Sequence, residues 1–298
     1  MSKKNVRVIL NPSAGSKNPP LRIFNNLFHQ ANIDWDLVIT KERCDGICLA
    51  EKAIKDDVDI VAAYGGDGTV MEVASGLQGT GIPMAILPGG TGNILSVELG
   101  IPQNLQEACT LITNPEKSRQ RSVDLGITND QTVPAFALRA GVGLEAAMLE
   151  GTDRELKERY GIFAYIMGAT QALHNIKEAH YHLVLDGEEV ECSGLTCLIA
   201  NAGYFGVPGL VLDPKVKIDD GFLDVFVLRK MDLAQLFSLA ATIVGGNELK
   251  DPALHWQVQS VTIESDPVQA TQADGEMWGQ SPVEIKVKNN ALQVLVPA

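Results

Sequence analysis

The sequence predicts an α/β domain built on a parallel sheet, followed by an antiparallel β-rich domain. In the first 125 or so residues, short strand-like runs that are apolar throughout alternate with helix-like segments, as in a parallel sheet covered on both faces. After "RSVDLG" (121–126) the character changes, and from about Tyr181 alternating, β-rich segments dominate. The 298 residues suffice for one large domain or two ordinary ones, and 45% apolar with 20% charged residues is a globular composition. The expected boundaries are 1–125 and 126–298, with 286–298 free to return to the first domain.

Each element follows from its local pattern. "VRVIL" (6–10) is a buried strand, and "LRIFNNLFHQANI" (21–33) sets Leu21, Phe24, Leu27, Phe28 and Ala31 on one helical face. "DLVIT" (36–40) is a second strand, and Ala50–Asp57 ends a second helix. "VDIVAAY" (58–64), "VMEVASGL" (70–77) and "IPMAIL" (82–87) continue as strand, helix, strand. A helical region is expected over 144–177 and another helix near 232–244. "HLVLDGEEVEC" reads as a hairpin turning at Asp186-Gly187. "LTCLIAN", "FLDVFVLR", "WQVQSVTIE", "VEIKVK" and "LQVLV" are the further strands.

Composition excludes several classes of function. A net charge of −13 speaks against nucleic acid as a partner, because phosphate binding needs a basic face. It also disfavours steady adsorption to an anionic membrane. Five cysteines without a C-x-x-C pair read as reduced thiols of a cytoplasmic protein, and Cys44 and Cys48 lack a second pair of ligands. The N-terminus has no apolar h-region, and "LFSLAATIVGG" is too short to span a bilayer.

Three loops stand at the C-terminal ends of the expected strands, where ligands sit in such sheets. They are "NPSAG" (Asn11, Pro12, Ser13, Ala14, Gly15), "GGDGT" (Gly65, Gly66, Asp67, Gly68, Thr69) and "PGGTGN", which includes Gly90, Thr91 and Asn93. Glycine lets backbone amides approach a ligand closely, and successive amides form an anion-binding nest. Thr69 leads into a helix N-terminus, which favours phosphate. One such loop is usually only a turn, but three on one sheet edge indicate a phosphate-bearing ligand. There is no G-x-x-x-x-G-K-[ST], G-x-G-x-x-G, H-E-x-x-H or G-x-S-x-G pattern, and Lys17 is wrongly spaced for a P-loop.

"NPSAG", "GGDGTVMEV" and "LPGGTGN", followed by "DDGFLDV" (219–225) and "ADGE" (273–276), resemble the catalytic domain of diacylglycerol and sphingosine lipid kinases, above all the soluble bacterial diacylglycerol-kinase-like branch. GGDGT alone is shared with NAD kinases. The resemblance implies a Rossmann-like, NAD-kinase-like nucleotide-binding domain and a β-sandwich domain that binds the lipid. It implies that Asn11–Gly15, Thr40, Gly65–Glu72, Gly90, Thr91 and Asn93 surround ATP, with Glu276 near the nucleotide. Asp67 would stand by the phosphates and Mg²⁺, and Asp274 would be the general base. It further implies a structural Mg²⁺ held by Asp220 with the carbonyls of Lys217 and Phe222; the other reading of Asp219-Asp220-Gly221 is a turn. Many bacterial members carry an aspartate after the asparagine of the third loop, in a network with the GGD aspartate and one like Asp124, where this chain has Ile94.

The expected function is therefore an ATP- and Mg²⁺-dependent lipid kinase that meets its acceptor transiently at a membrane surface. Two alternatives stand beside it: an NAD-kinase-like enzyme, and a nucleotide-binding regulatory protein with weak catalysis. An exposed edge strand of the β domain is expected to be open to pairing of two chains. His180 and His182 share a strand face, as two metal ligands or as exposed strand residues. "RELKER" (154–159) reads as a solvated helix face or a headgroup contact, and "YGIFAYIMGATQAL" (160–173) as an acyl-chain wall or a packed helix.

Overall fold

The computed structural model describes residues 3–15, 19–129, 133–143, 178–204, 212–229 and 253–298. The helices expected over 144–177 and near 232–244, with the "RELKER" and 160–173 stretches, lie outside these residues. Contacts divide the chain into two units, Met1–Asp124 with Asn290–Ala298, and Leu125–Asn289.

In the first unit the elements run β1 (Asn5–Leu10), α1 (Leu21–Gln30), β2 (Asp34–Ile39), α2 (Asp45–Lys55), β3 (Ile60–Gly65), α3 (Asp67–Leu77), β4 (Pro83–Pro88), α4 (Ile94–Glu98) and α5 (Leu105–Thr113). β5 (Ser118–Thr128) then leads into the second unit. The parallel order is β2-β1-β3-β4, and residues 293–294 of a late strand add in parallel beside β4. β3 is buried at every position, as expected for a central strand covered on both faces, whereas the edge strand β2 alternates. Helix α1 buries Phe24 and Phe28, one turn apart, while Leu21 at its first position stays exposed. Phe24 meets Tyr64 edge-on at 5.8 Å and Phe28 meets Trp35 at 5.6 Å, so the aromatic core reaches β3 where it ends. On the opposite flank, Arg7 holds Asp36 through Nε and Nη2 and Asp56 through Nη1, tying β1 to β2 and to the end of α2.

The second unit is antiparallel. Its elements are β6 (Ala135–Phe136), β7 (Arg139–Gly143), β8 (Ala179–Leu185), β9 (Glu188–Gly194), β10 (Thr196–Ala200), β11 (Leu223–Leu228), β12 (Ala253–Val258), β13 (Ser260–Asp266), β14 (Ala270–Ala273), β15 (Glu276–Gln280) and β16 (Val283–Pro297). One sheet runs β12-β11-β10-β7-β14-β15, while β13 joins β16 to β8 and β9. Tyr181, Leu183 and Ile263 from one layer share a buried cluster with Val142, Ile199 and Val225 from the other. That shared core makes a sandwich.

The chain differs from its sequence reading at several elements, α4, α5, β5 and β6 among them, which have no counterpart in that reading. "WQVQSVTIE" is two strands in different sheets, β12 and β13, because the Asp186 carboxylate accepts from the N–H of both Gln259 and Ser260 and turns the corner between them. "VEIKVK" and "LQVLV" are one strand, β16, bent at Asn290 (φ +51°), whose N–H donates to buried Asp124 at 2.6 Å. The Gly-rich β7 and the hairpin β14–β15 were not read as strands at all. The turn at Asp186-Gly187 is as expected, with φ +50° and +94° and Leu185 opposite Glu188. Replacing fully buried Phe28 by Ala should cost about 3–5 kcal/mol, read from urea unfolding; a loss below about 1 kcal/mol would show that the aromatic cluster does not carry the first unit.

Candidate active site

Side-chain hydrogen bonds and close main-chain contacts bring the three loops of the first unit together. The Asn11 amide donates to Thr69 Oγ1 at 2.9 Å, and its Oδ1 accepts from Ser13 N at 2.9 Å, so one side chain joins the first loop to the second. The second and third loops touch main chain to main chain: Gly89 N donates to Gly65 O at 2.9 Å, and a Cβ on Gly90 would lie 2.5 Å from Gly66 Cα. Beneath them is Tyr64, whose ring leaves no room for a side chain on Gly15; there a Cβ would meet its hydroxyl oxygen at 2.2 Å, and φ is +74°. Asn93 closes the third loop on itself, accepting from Gly90 N at 3.0 Å and donating to Gly90 O at 2.9 Å. Thr91 is exposed at its tip.

Asp67 is the first residue of α3, with Gly66 as its extended N-cap. Its Oδ1 accepts from Ile94 N at 2.6 Å, so Ile94 contributes its backbone N–H to this carboxylate. Burial raises the Asp67 pKa above the ordinary carboxylate range, against the N–H groups of Ile94, Leu95, Asp67 itself and Asn93, which pull it down. A Cβ on Gly92 would lie 2.7 Å from Asp67 Oδ2, so a side chain there would crowd the carboxylate.

Beside these loops lies a pocket of about 320 Å³ lined by Asn11, Pro12, Ser13, Thr40, Gly68, Thr69 and Glu72, together with Lys41, Glu42 and Arg43. Those last three were not among the expected residues, although a cationic pair after a strand end is a readable signal for phosphate. Their segment is pinned by two carboxylates. Asp45 accepts from Lys41 N and Glu42 N at 2.7 and 3.0 Å, which holds its pKa below the usual range, and Glu72 accepts from Cys44 N and Gly46 N at 2.8 and 3.0 Å. Glu72 therefore fixes the pocket wall through the start of α2. Ala14, Gly15, Gly65, Gly66, Gly90, Thr91 and Asn93 shape the loops and lie outside the pocket lining.

In the second unit, Asp274 and Gly275 form the two-residue turn of the β14–β15 hairpin, with φ +46° and +87°. The Asp274 carboxylate reaches across to β7 and the residues before it. It accepts from Ala137 N at 2.8 Å, Leu138 N at 3.1 Å and Arg139 N at 2.9 Å. Burial pushes its pKa up to about 6, opposed by those N–H groups and by the positive charge of Arg139. Glu276 opens β15 and is exposed.

Asp220 accepts from Phe222 N at 3.1 Å in an Asx turn before Gly221 (φ +83°), and from Gln257 Nε2 at 3.2 Å. Its carboxylate and the neighbouring carbonyls are hard oxygen donors that suit Mg²⁺. Among the described residues no group of three or more His, Cys, Asp or Glu is placed to hold a metal. His180 and His182 meet Glu191, Glu189 and Glu264 across an exposed sheet face, which is the strand-surface reading of that pair. No helix of the described residues is long and apolar enough to cross a membrane.

Residues 5–127 match the family described as the diacylglycerol kinase catalytic domain, and residues 139–296 match the YegS C-terminal NAD kinase beta sandwich-like domain. An uncharacterized protein of Synechocystis is 31% identical over 99% of this chain and 70% of its own length. A diacylglycerol kinase of Staphylococcus haemolyticus is 27% identical over 99% of this chain and 89% of its own. A crystal structure of a diacylglycerol kinase from Bacillus anthracis superposes with a TM-score of 0.78 at 27% identity, covering 99% and 97% of the two chains.

The Gly66–Gly90 contact makes a direct prediction. Gly90→Ala must push the two loops apart and should cost about 1–3 kcal/mol. Gly68→Ala, which would add a methyl with no neighbour within 4 Å in the first turn of a helix, should leave stability unchanged or slightly raised. Equal melting temperatures for both variants would show that the loops are not in close contact.

Proposed function

The chain belongs to the diacylglycerol kinase catalytic-domain family, and from that membership we propose an ATP- and Mg²⁺-dependent lipid kinase that phosphorylates a hydroxyl of a diacylglycerol-like or sphingoid lipid. It is a phosphotransferase with an alcohol group as acceptor. The observation that carries the finer reading is the convergence of three glycine loops and Asp67 beside a pocket with cationic side chains.

In this reading the backbone amides of the glycine loops and the α3 N-terminus bind the phosphates, with Lys41 and Arg43 adding charge at the pocket mouth. Asn11 and Glu72 orient the walls, Thr40, Ser13 and Gly68 shape the space for the nucleotide, and the family resemblance assigns Glu276 to the same ligand. Bound Mg²⁺ supplies charge neutralisation for the transferring phosphoryl group, with Asp67 as the residue beside it. Asp274 takes the proton of the acceptor hydroxyl as its oxygen bonds to phosphorus and the bond to the ADP oxygen breaks. A second, structural Mg²⁺ at Asp220 and the carbonyls of Lys217 and Phe222 belongs to the same proposal. So do a cytoplasmic location, transient encounter with lipid at a membrane surface, no nucleic-acid partner, and pairing of two chains at an exposed edge strand of the sandwich.

Radiolabelled ATP with a total lipid extract and Mg²⁺ should yield a labelled lipid. ATP binding without a labelled lipid would favour the regulatory alternative, and labelled NADP from NAD would favour an NAD kinase. Asp67→Ala and Asp274→Asn should each lower kcat by about 10²–10⁴-fold while the fold persists. Because Asp274 acts when deprotonated and is pushed up to about 6, turnover should be full above that pH and fall as pH drops through it. An acid limb that lies nearer pH 4 would remove Asp274 from the role of base.

A further inference from the structure

The second unit contains a fully buried polar side chain that the reaction as described does not use. Asn201, directly after β10, is 0% exposed, and a buried amide of this kind is costly unless it is hydrogen-bonded. Its Nδ2 donates to Ala137 O at 2.7 Å, its backbone N donates to Leu138 O at 2.8 Å, and Ala202 N adds a second bond to Leu138 O at 3.0 Å.

Those two carbonyls belong to the peptide units whose other ends hold Asp274. The 137–138 unit carries the Leu138 N–H and the 138–139 unit carries the Arg139 N–H, both of which donate to the Asp274 carboxylate. In a trans peptide the C=O and N–H point in opposite directions, so gripping the oxygen aims the hydrogen. A carbonyl that accepts a hydrogen bond also polarises its own N–H into a stronger donor. Ala137 and Leu138 form a two-residue link between β6 and β7, with no sheet ladder of their own to fix these planes.

We propose that Asn201 is a positioning residue of the kinase reaction, whose side chain sets the proton affinity of Asp274 through the peptide plane that joins Ala137 to Leu138. The inference rests on Asp274 being the general base. Among the described residues, Arg139 on β7 is the charged group that faces Asp274, and its guanidinium also donates to Tyr204 O at 3.4 Å; Glu276 follows on β15. Arg139 favours the ionised carboxylate irrespective of Asn201, so the contribution of Asn201 is separable from it.

The sign follows from the N–H groups favouring the charged form. Asn201→Ala frees the 137–138 plane, weakens the Leu138 N–H bond, raises the proton affinity of Asp274 and moves the acid limb of the kcat profile to higher pH by about half a unit to one unit. KM for ATP should not change. If Asp274→Asn keeps wild-type turnover, the assignment of the base falls and this inference falls with it. If Asp274→Asn is inactive while folded Asn201→Ala keeps the wild-type acid limb, only this inference falls. A measurement on the wild-type protein decides the matter should Asn201→Ala not fold. The amide resonances of Leu138 and Arg139 and the Asn201 side-chain amide should titrate with one midpoint, that of the acid limb. An Asn201 amide that stays fixed while Leu138 and Arg139 move would overturn the proposal.

Discussion

A carboxylate that accepts backbone N–H groups from a neighbouring segment is the interaction on which the loops of both units depend. Asp67 takes Ile94, Asp45 takes Lys41 and Glu42, and Glu72 takes Cys44 and Gly46. Asp186 holds the corner between β12 and β13, Asp124 holds the bend in β16, and Asp274 holds the approach to β7. Loop amides have no ladder to satisfy them, and an unpaired buried N–H is costly. A carboxylate satisfies two or three at once with charge-assisted bonds. The acidic balance of the chain, −13 overall, has part of its structural use here.

The same device explains why two Asp-Gly hairpin turns can look alike and still differ in their chemistry. Asp186-Gly187 and Asp274-Gly275 are both hairpin turns with positive φ at both residues, and both carboxylates reach back to main-chain N–H groups. Asp186 is exposed, whereas Asp274 is packed closely enough for burial to push it up to about 6. Surroundings, and not the dipeptide, distinguish a carboxylate suited to moving a proton near neutral pH.

This distinction marks how far the sequence could be read. The parallel strands were legible because runs such as "VDIVAAY" are apolar throughout, and the three glycine loops because each follows such a run. The start of α2 was less legible: its Cys44 N-cap has no side-chain cap bond, and the Cys44 and Gly46 N–H groups go to Glu72 on α3, far away in sequence. β7 and β14 escaped because "RAGVG" and "ATQA" are short and rich in small residues, with little side chain to display a period. Glu72 accepts from the N–H groups of Cys44 and Gly46, and Asn93 bonds Gly90 of its own loop and the Gln103 side chain, structural contacts that residue type alone does not reveal. Asn201 gave no signal, since a single Asn after a strand is an ordinary loop residue until its bonds are known.

The late strand beside β4 has a consequence for biosynthesis. Residues 290–298 belong to the first unit, but they follow all of the second in the chain. Domains ordinarily fold as they emerge, the N-terminal one first. Here the ribosome must translate the whole sandwich before the N-terminal sheet receives the strand that pairs with Pro83 and Met84. Until then Met84 and its neighbours present an open parallel edge, the kind of surface that nascent-chain chaperones shield.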